Sequence, residues 1–267
     1  MHDWLNVFLL GLIQGVTEFL PISSDGHLAL FSLLFDVKDS GLSLTILLHA
    51  GTLLATLLVL RERAIPALFD GLRALVKPSL FKTTPAGQDA LFVIVGSIPT
   101  ALIGLGLKSF VEEATESPIW IGLGFLGTGL ALASTRFAPA GIVEHPSWKS
   151  ALLVGFMQGW AVLPGLSRSG STIATLLFLG VERRRAFELS MLMSLPAVLG
   201  AILLEIPEIA HIQAMGLAIF GTVIAFVSGI GALLFLRRVV ASGFFPWFAL
   251  WVIPLGIATL AMARAWP

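Results

Sequence analysis

No cysteine occurs among the 267 residues. Disulfides, thiolate metal sites, a cysteine nucleophile and lipidation at a cysteine are therefore all excluded. Charge is scarce as well: charged residues make up 12% of the chain and hydrophobic ones 57%. A soluble domain carries about twice that charged fraction, and the mean hydropathy here is +0.95. So little polar surface cannot cover a water-soluble globule, and lipid must solvate much of the chain. The formal net charge is zero, which leaves no broad basic face for nucleic acid. Met1-His2-Asp3-Trp4 lacks the basic start of a signal peptide, and polar Gln14 and Glu18 soon follow, so 4–20 is expected to belong to the mature fold. No Lys-Ser/Thr pair follows a glycine-rich stretch, so there is no nucleotide P-loop.

Apolar runs dominate what is present. A span needs about 20 mostly apolar residues, and 43–60, 89–108, 118–136, 186–206, 212–236 and 245–265 qualify. Four shorter pieces, 4–20, 24–36, 148–163 and 167–180, fall into two pairs. Each pair is broken by proline and serine, at Pro21-Ile22-Ser23-Ser24 and at Pro164-Gly165-Leu166-Ser167. A helix of about 13 residues reaches about 20 Å, short of the roughly 30 Å hydrocarbon core. Each pair is therefore expected to form a re-entrant helical hairpin with its tip near mid-membrane, buried in protein or lining a wet cavity. The expected class is all-α: a polytopic integral membrane protein with two such hairpins and six further transmembrane helices.

Loop charge predicts the orientation. Loop 61–88 carries Arg61, Arg63, Arg73, Lys77 and Lys82; 181–185 carries Arg183, Arg184 and Arg185; 237–244 carries Arg237 and Arg238. All three are expected on the cytoplasmic side. Loops 109–117 and 207–211 hold Glu112, Glu113, Glu116 and Glu208 without a base, and suit the outside. Both termini then face outward. Trp4, Trp120, Trp148 and Trp247 lie near segment ends, as in interfacial belts.

Gly11-Leu12-Ile13-Gln14-Gly15 recurs as Gly155-Phe156-Met157-Gln158-Gly159, and the Leu-Pro…Ser break recurs after it. Two repeats, about 4–136 and 148–265, emerge within a single membrane domain of 1–267. Their matching loops carry opposite charge, so the halves are expected to be inverted relative to each other. Inverted repeats put a site at the midplane, where interrupted helices face one another.

Ionisable residues within membrane segments are functional candidates: Glu18, Asp25, His27 and Arg168, then His49 and Glu188. Gln14 and Glu18, four apart, share a helix face and are expected to hold a divalent cation, Mg²⁺ or Ca²⁺, bound to phosphate oxygens; a Gln–Glu pair that only hydrogen-bonds the hairpin tip is the plainer alternative. Ser24 and His27 are three apart at a helix start, where Ser23 and the turn amides can cradle an anion. The pair offers a hydroxyl nucleophile and a base. Arg168 is an always-charged fork suited to phosphate, with Ser167, Ser169 and Thr172 adding hydroxyls around it. A structural salt bridge from Arg168 to Glu18 is the plainer alternative. His49 reads as a packing residue of an apolar span.

Gln14-Gly15-Val16-Thr17-Glu18-Phe19-Leu20-Pro21-Ile22-Ser23-Ser24-Asp25-Gly26-His27 resembles the first signature of the undecaprenyl-diphosphate phosphatases of the bacitracin-resistance type. Pro164-Gly165-Leu166-Ser167-Arg168-Ser169-Gly170-Ser171-Thr172 resembles their second. The resemblance runs over essentially the whole chain. It implies hydrolysis of undecaprenyl diphosphate to the monophosphate, recycling the carrier lipid for cell-wall polymers at a bacterial inner membrane, with the site open to the periplasm. Carried over, Gln14 and Glu18 match the family's acidic metal-associated pair. Ser24 and His27 match its proposed nucleophile and catalytic histidine, and Arg168 its phosphate-binding arginine. Gln14 stands where many members have Glu; Asp25 replaces a small hydroxyl residue and can partly restore that charge.

The mechanism expected from these residues has Ser24, deprotonated with help from His27, attack the terminal phosphorus. Attack by His27 itself, or by water that it activates, rests on the same residues. The rival class is a secondary transporter or lipid-phosphate flippase without hydrolysis, since inverted repeats and paired hairpins are transporter features. Small-residue spacings at Gly122-Leu123-Gly124 and Gly127-Thr128-Gly129 favour close helix contacts within or between subunits, compatible with a homodimer.

Overall fold

Inside a bilayer no water satisfies backbone N–H and C=O groups, and helices satisfy them within one segment. The chain is all-α accordingly, a polytopic membrane protein. The computed structural model describes residues 2–35, 41–204 and 214–264. Loop 207–211 with Glu208 and His211, and the outer ends of segments 24–36, 186–206, 212–236 and 245–265, lie outside the described residues.

The helices, in chain order, are α1 (His2–Thr17), α2 (Ser24–Phe35), α3 (Gly41–Val59), α4 (Arg61–Ala74), α5 (Leu80–Thr83), α6 (Pro85–Gly106) and α7 (Lys108–Thr115). There follow α8 (Pro118–Ser134), α9 (Trp148–Trp160), α10 (Arg168–Phe178), α11 (Arg183–Leu204), α12 (Met215–Ser242) and α13 (Ala249–Ala263). Among the described residues five stretches are long and apolar enough to cross a membrane: Pro85–Gly106, Pro118–Phe137, Arg183–Leu204, Met215–Ser242 and Phe245–Ala263. A sixth candidate, Leu44–Val59, meets Arg61–Ala74 at 90°. The four short helices α1, α2, α9 and α10 have 16, 12, 13 and 11 residues.

Two stretches read as loops from sequence contain helices. Loop 61–88 holds α4 and α5, and α6 begins at Pro85 rather than 89. There the Thr84 hydroxyl caps Gly87 N at 3.0 Å, with proline in the first turn. Loop 109–117 holds α7. The reason for α4 is amphipathicity: Arg61, Arg63, Asp70 and Arg73 alternate with exposed Ile65, Leu68, Phe69 and Leu72, while Ala64, Ala67 and Ala74 are buried. Such a helix is too polar to span and suits the lipid–water interface.

α1 packs on α12 and α9 packs on α6; α3 also lies on α12, α11 on α6, and α8 on α13. The recurring Gly-x-x-x-Gly explains the first two contacts. A Cβ at Gly15 would lie 2.5 Å from the Ala225 carbonyl oxygen, and one at Gly155 would lie 2.0 Å from that of Gly96. Only glycine lets these backbones approach so closely. Phe19, Ile121, Phe125, Ile173, Leu176, Phe187 and Met191 fill the interior between them.

Candidate active site

The break between α1 and α2 turns on Ser23, whose φ of 70° lies in the left-handed region. Its hydroxyl accepts from Gly26 N at 3.2 Å. The break between α9 and α10 uses the same device: the Ser167 hydroxyl accepts from Gly170 N at 3.1 Å. The two tips touch. A Cβ at Gly26 would lie 2.8 Å from Gly165 Cα, and one at Gly170 would lie 3.4 Å from Pro21. α8 braces the second tip, since the Thr128 hydroxyl donates to the Gly165 carbonyl at 2.7 Å and accepts from Ser167 N at 2.8 Å.

Where the tips meet, buried Glu18 gathers three donors. Oε2 accepts from Ser24 Oγ at 2.7 Å and from Gln14 Nε2 at 3.1 Å. Oε1 accepts from Arg168 Nη2, which crosses from the other tip. Two buried polar atoms here have no partner among the described residues, Arg168 Nη1 and Gln14 Oε1. One is a cationic donor and the other an acceptor. A buried polar group without a partner is costly, and these two face the needs of a phosphate oxygen and of a cation respectively. Asp25 is half exposed, its side chain 49% accessible, so the cluster opens beside it.

His49, read from sequence as packing, comes to this cluster from α3. Its Nε2 lies 3.8 Å from Glu18 Oε2 and 3.9 Å from Asp25 Oδ1, and its Nδ1 is 2.9 Å from the Thr45 carbonyl oxygen. Only its place among the ionisable residues of membrane segments marked it; the contact depends on α3 packing beside α1. His27 lies differently from the sequence expectation. Its Nδ1 is 2.8 Å from the Ser23 carbonyl oxygen, one turn back, and its Nε2 accepts from the Trp251 indole at 3.2 Å. The indole N–H on Nε2 leaves the ring proton on Nδ1, to be donated to Ser23. Its ring stacks on Trp251 and meets Phe125 edge-on. Ser24 thus has Glu18, not His27, as its hydroxyl acceptor.

The hydroxyls expected around Arg168 are engaged in building the second tip. Ser167 caps α10 and lies 3.2 Å from the Ser169 hydroxyl. The Thr172 hydroxyl donates to the Arg168 carbonyl at 2.8 Å and is 2.6 Å from that of Ser190. Gln158, the repeat mate of Gln14, donates to Thr100 and to the Met193 carbonyl.

A second charged cluster is fully paired. Buried Arg185 bonds Asp89, Glu188 Oε2 at 3.1 Å and the Glu144 carbonyl at 2.9 Å. Arg63 and Arg184 each lie 3.3 Å from Glu188. Arg183 to Arg185, read as a loop, are the first turn of α11. The cluster ties α4, α6 and α11 together, and Glu188 belongs to it rather than to the site at the tips.

The family model described as "Bacitracin resistance protein BacA" matches residues 7–258. Similar relatives include the undecaprenyl-diphosphatase of Desulfatibacillum aliphaticivorans, 41% identical over 262 residues, covering 93% of this chain and 94% of that protein. The undecaprenyl-diphosphatase of Korarchaeum cryptofilum is 36% identical over 262 residues, covering 96% and 98%. That of Mycolicibacterium smegmatis is 34% identical over 276 residues, covering 97% and 96%.

Proposed function

The chain belongs to the bacitracin-resistance BacA family, and from that membership together with the site at the two tips we infer that it hydrolyses undecaprenyl diphosphate to undecaprenyl phosphate and phosphate. It is an undecaprenyl-diphosphatase, a membrane hydrolase. The observation that carries the site assignment is Arg168, with Nη2 on Glu18 and Nη1 buried without a partner among the described residues. A guanidinium fork in that state holds a carboxylate with one arm and offers the other to the terminal phosphate.

In the proposed reaction Ser24 Oγ attacks the terminal phosphorus as its proton passes to Glu18 Oε2, 2.7 Å away. The bond from that phosphorus to the bridging oxygen breaks, and undecaprenyl phosphate leaves with the electron pair and takes up the proton from Glu18. Water then attacks the phosphoserine, giving its proton to Glu18, which returns it to the departing Ser24 oxygen. Arg168 steadies the phosphoryl oxygens throughout. His27 acts as a positioning residue: its Nδ1–H holds the Ser23 carbonyl, and Trp251 holds its ring. Ser23, Ser167, Ser169 and Thr172 shape the two tips that receive the head group.

A divalent cation fits the donors at this site. Among the described residues no three His, Asp or Glu side chains form a ready cage, whereas the unpartnered Gln14 Oε1 and the Glu18 carboxylate are oxygen donors of the kind Mg²⁺ takes alongside waters and substrate phosphates. Gln14 and Glu18 would hold it, and when bound it would offset the charge of the diphosphate.

α1–α2 and α9–α10 are proposed as re-entrant hairpins entering from opposite faces, within inverted repeats 4–136 and 148–265. Three things support this: helices too short to span, the shared Ser-to-Gly cap at both tips, and the exchanged packing of α1 on α12 and α9 on α6. The basic loops then face the cytoplasm, and the site opens past Asp25 to the periplasm.

Phosphate release by the purified protein from undecaprenyl diphosphate, with and without chelator, is the test. Ser24→Ala is expected to lower turnover by about 10³-fold or more, as loss of a nucleophile does. His27→Ala should cost less. Near-normal turnover in Ser24→Ala would remove Ser24 as the attacking group.

A further inference from the structure

At the end of the bundle that gathers Arg183, Arg184, Arg237 and Arg238, the termini of α8, α10, α11, α12 and α13 enclose a cleft of about 610 Å³. Sites for small ligands measure about 300–1,000 Å³. α10 carries Arg168 at one end and Leu177 of the cleft near the other, about 14 Å along the helix at 1.5 Å per residue. Along α10 the cleft is thus set apart from Arg168, while on α13 its wall borders Trp251, which holds His27.

Its lining is divided. Arg136 and Arg183 supply charge, and no carboxylate lines it. Leu177, Leu250 and Ile253 form an apolar wall, with Trp247 at the edge. Leu250 and Trp247 are 68% and 63% exposed, so this wall continues onto the outer surface of the bundle. Arg63, Arg73, Arg184 and Arg185 all meet carboxylates. Arg136 and Arg183, both exposed, meet none among the described residues; the same holds for Arg61, Arg237 and Arg238, but only Arg136 and Arg183 share this cleft. Arg136 lies only over the Phe137 ring, 5.0 Å from its centre. Arg183 is seated on Gly243, where a Cβ would come within 2.6 Å of its Nη1, at a φ of +82° that favours glycine. The fold therefore makes room for two guanidinium groups and gives neither a counterion.

We propose that this cleft binds the phosphate headgroup of an anionic phospholipid, with its acyl chains lying along Leu250 and Ile253. Two guanidinium groups suit a phosphodiester that ionic pairing within the protein leaves unmatched. Basic pockets between membrane helices on the cytoplasmic side take anionic head groups. An apolar wall open to the bilayer favours a ligand that brings chains, over a free phosphate.

Thermal unfolding of the delipidated full chain in detergent tests this, titrated separately with dioleoyl phosphatidylglycerol, dioleoyl phosphatidylcholine and inorganic phosphate. Phosphatidylglycerol should raise the melting temperature saturably, and the other two should not. In the Arg136→Gln/Arg183→Gln double variant the half-saturating phosphatidylglycerol concentration should rise about tenfold or more, with phosphate release in detergent unchanged. Ala138→Trp, which fills the cleft and keeps both arginines, should lose the same shift; it carries the test if the double variant does not fold. An equal shift from phosphatidylcholine or from inorganic phosphate, or a full phosphatidylglycerol shift in either variant, would overturn the proposal.

Discussion

Arg168 gives Nη2 to Glu18 and keeps Nη1 buried without a partner among the described residues, and that division can be probed directly. Lysine retains the charge but is a single point donor, able to hold Glu18 or the phosphate and not both. Arg168→Lys is therefore expected to fold and to lose about 10²–10³-fold in kcat, the loss seen when one preorganised oxyanion donor is removed. Arg168→Ala should also destabilise the fold by about 3–5 kcal/mol, because it leaves Glu18 as a buried unpaired charge. Phosphate release and melting temperature on both variants check the pair of outcomes. His49 permits a similar contrast. Its ring faces Glu18 and Asp25 at 3.8 and 3.9 Å. His49→Leu is expected to cost about fivefold in turnover, about 1 kcal/mol, the worth of a polar contact held beyond hydrogen-bond distance of a carboxylate, and His49→Gln, which keeps a donor, should recover most of it. Equal losses in both would assign His49 to packing alone. The sequence made Glu18, Ser24 and Arg168 legible because a carboxylate, a tip hydroxyl and a guanidinium in apolar segments admit few explanations. It hid which group each would touch. Ser24 and His27 are near in sequence, yet the left-handed Ser23 turns Ser24 to Glu18, while His27 folds back on the carbonyl one turn earlier.

Among the elements, the short helices were the most legible, since a proline–serine break leaves its mark in sequence: 4–20 and 24–36 correspond to α1 and α2, and 148–163 and 167–180 to α9 and α10. α4 escaped because its arginines read as loop charge. Its exposed leucines and phenylalanine make sense only once the 90° turn after α3 puts it at an interface. The two Gly-x-x-x-Gly stretches were visible as a repeat, and their purpose became plain as helix contacts. Gly155→Ala would put a Cβ 2.0 Å from the Gly96 carbonyl oxygen. It is expected to destabilise by about 1–3 kcal/mol, as overpacking does. Gly106→Ala, with nothing within 4 Å of the added carbon, should be neutral or slightly stabilising. Thermal melts of the two variants in one detergent compare them. A Gly155→Ala melt no lower than that of Gly106→Ala would contradict the close α6–α9 approach.

For the whole molecule, the unusual feature is that one site is assembled where two helix breaks from distant parts of the chain meet, each held by helices from elsewhere in the chain: α1 by α12, α9 by α6, and the second tip by Thr128 of α8. Charge in the loops was enough to propose sides, because lysine and arginine near span ends are retained on the cytoplasmic face. The lack of cysteine makes that proposal testable one position at a time, as every introduced thiol is the sole target. Ser79→Cys, before α5, is expected to react with a bulky impermeant maleimide only when the cytoplasmic face is accessible. Ser109→Cys, in α7, should react only from outside. Both serines are exposed. Those two positions fix orientation but not depth, since a hairpin and a pair of full spans return the chain to the same side. Leu166→Cys, between α9 and α10, separates them. If α9 and α10 crossed the bilayer, position 166 would emerge on the outer face and label there. At the tip of a re-entrant hairpin, beside Gly127 in the middle of α8 and next to Gly165, which meets Gly26 of the other tip, it should resist the bulky reagent from both faces. Ready labelling of Leu166→Cys from outside would remove the re-entrant reading of α9 and α10.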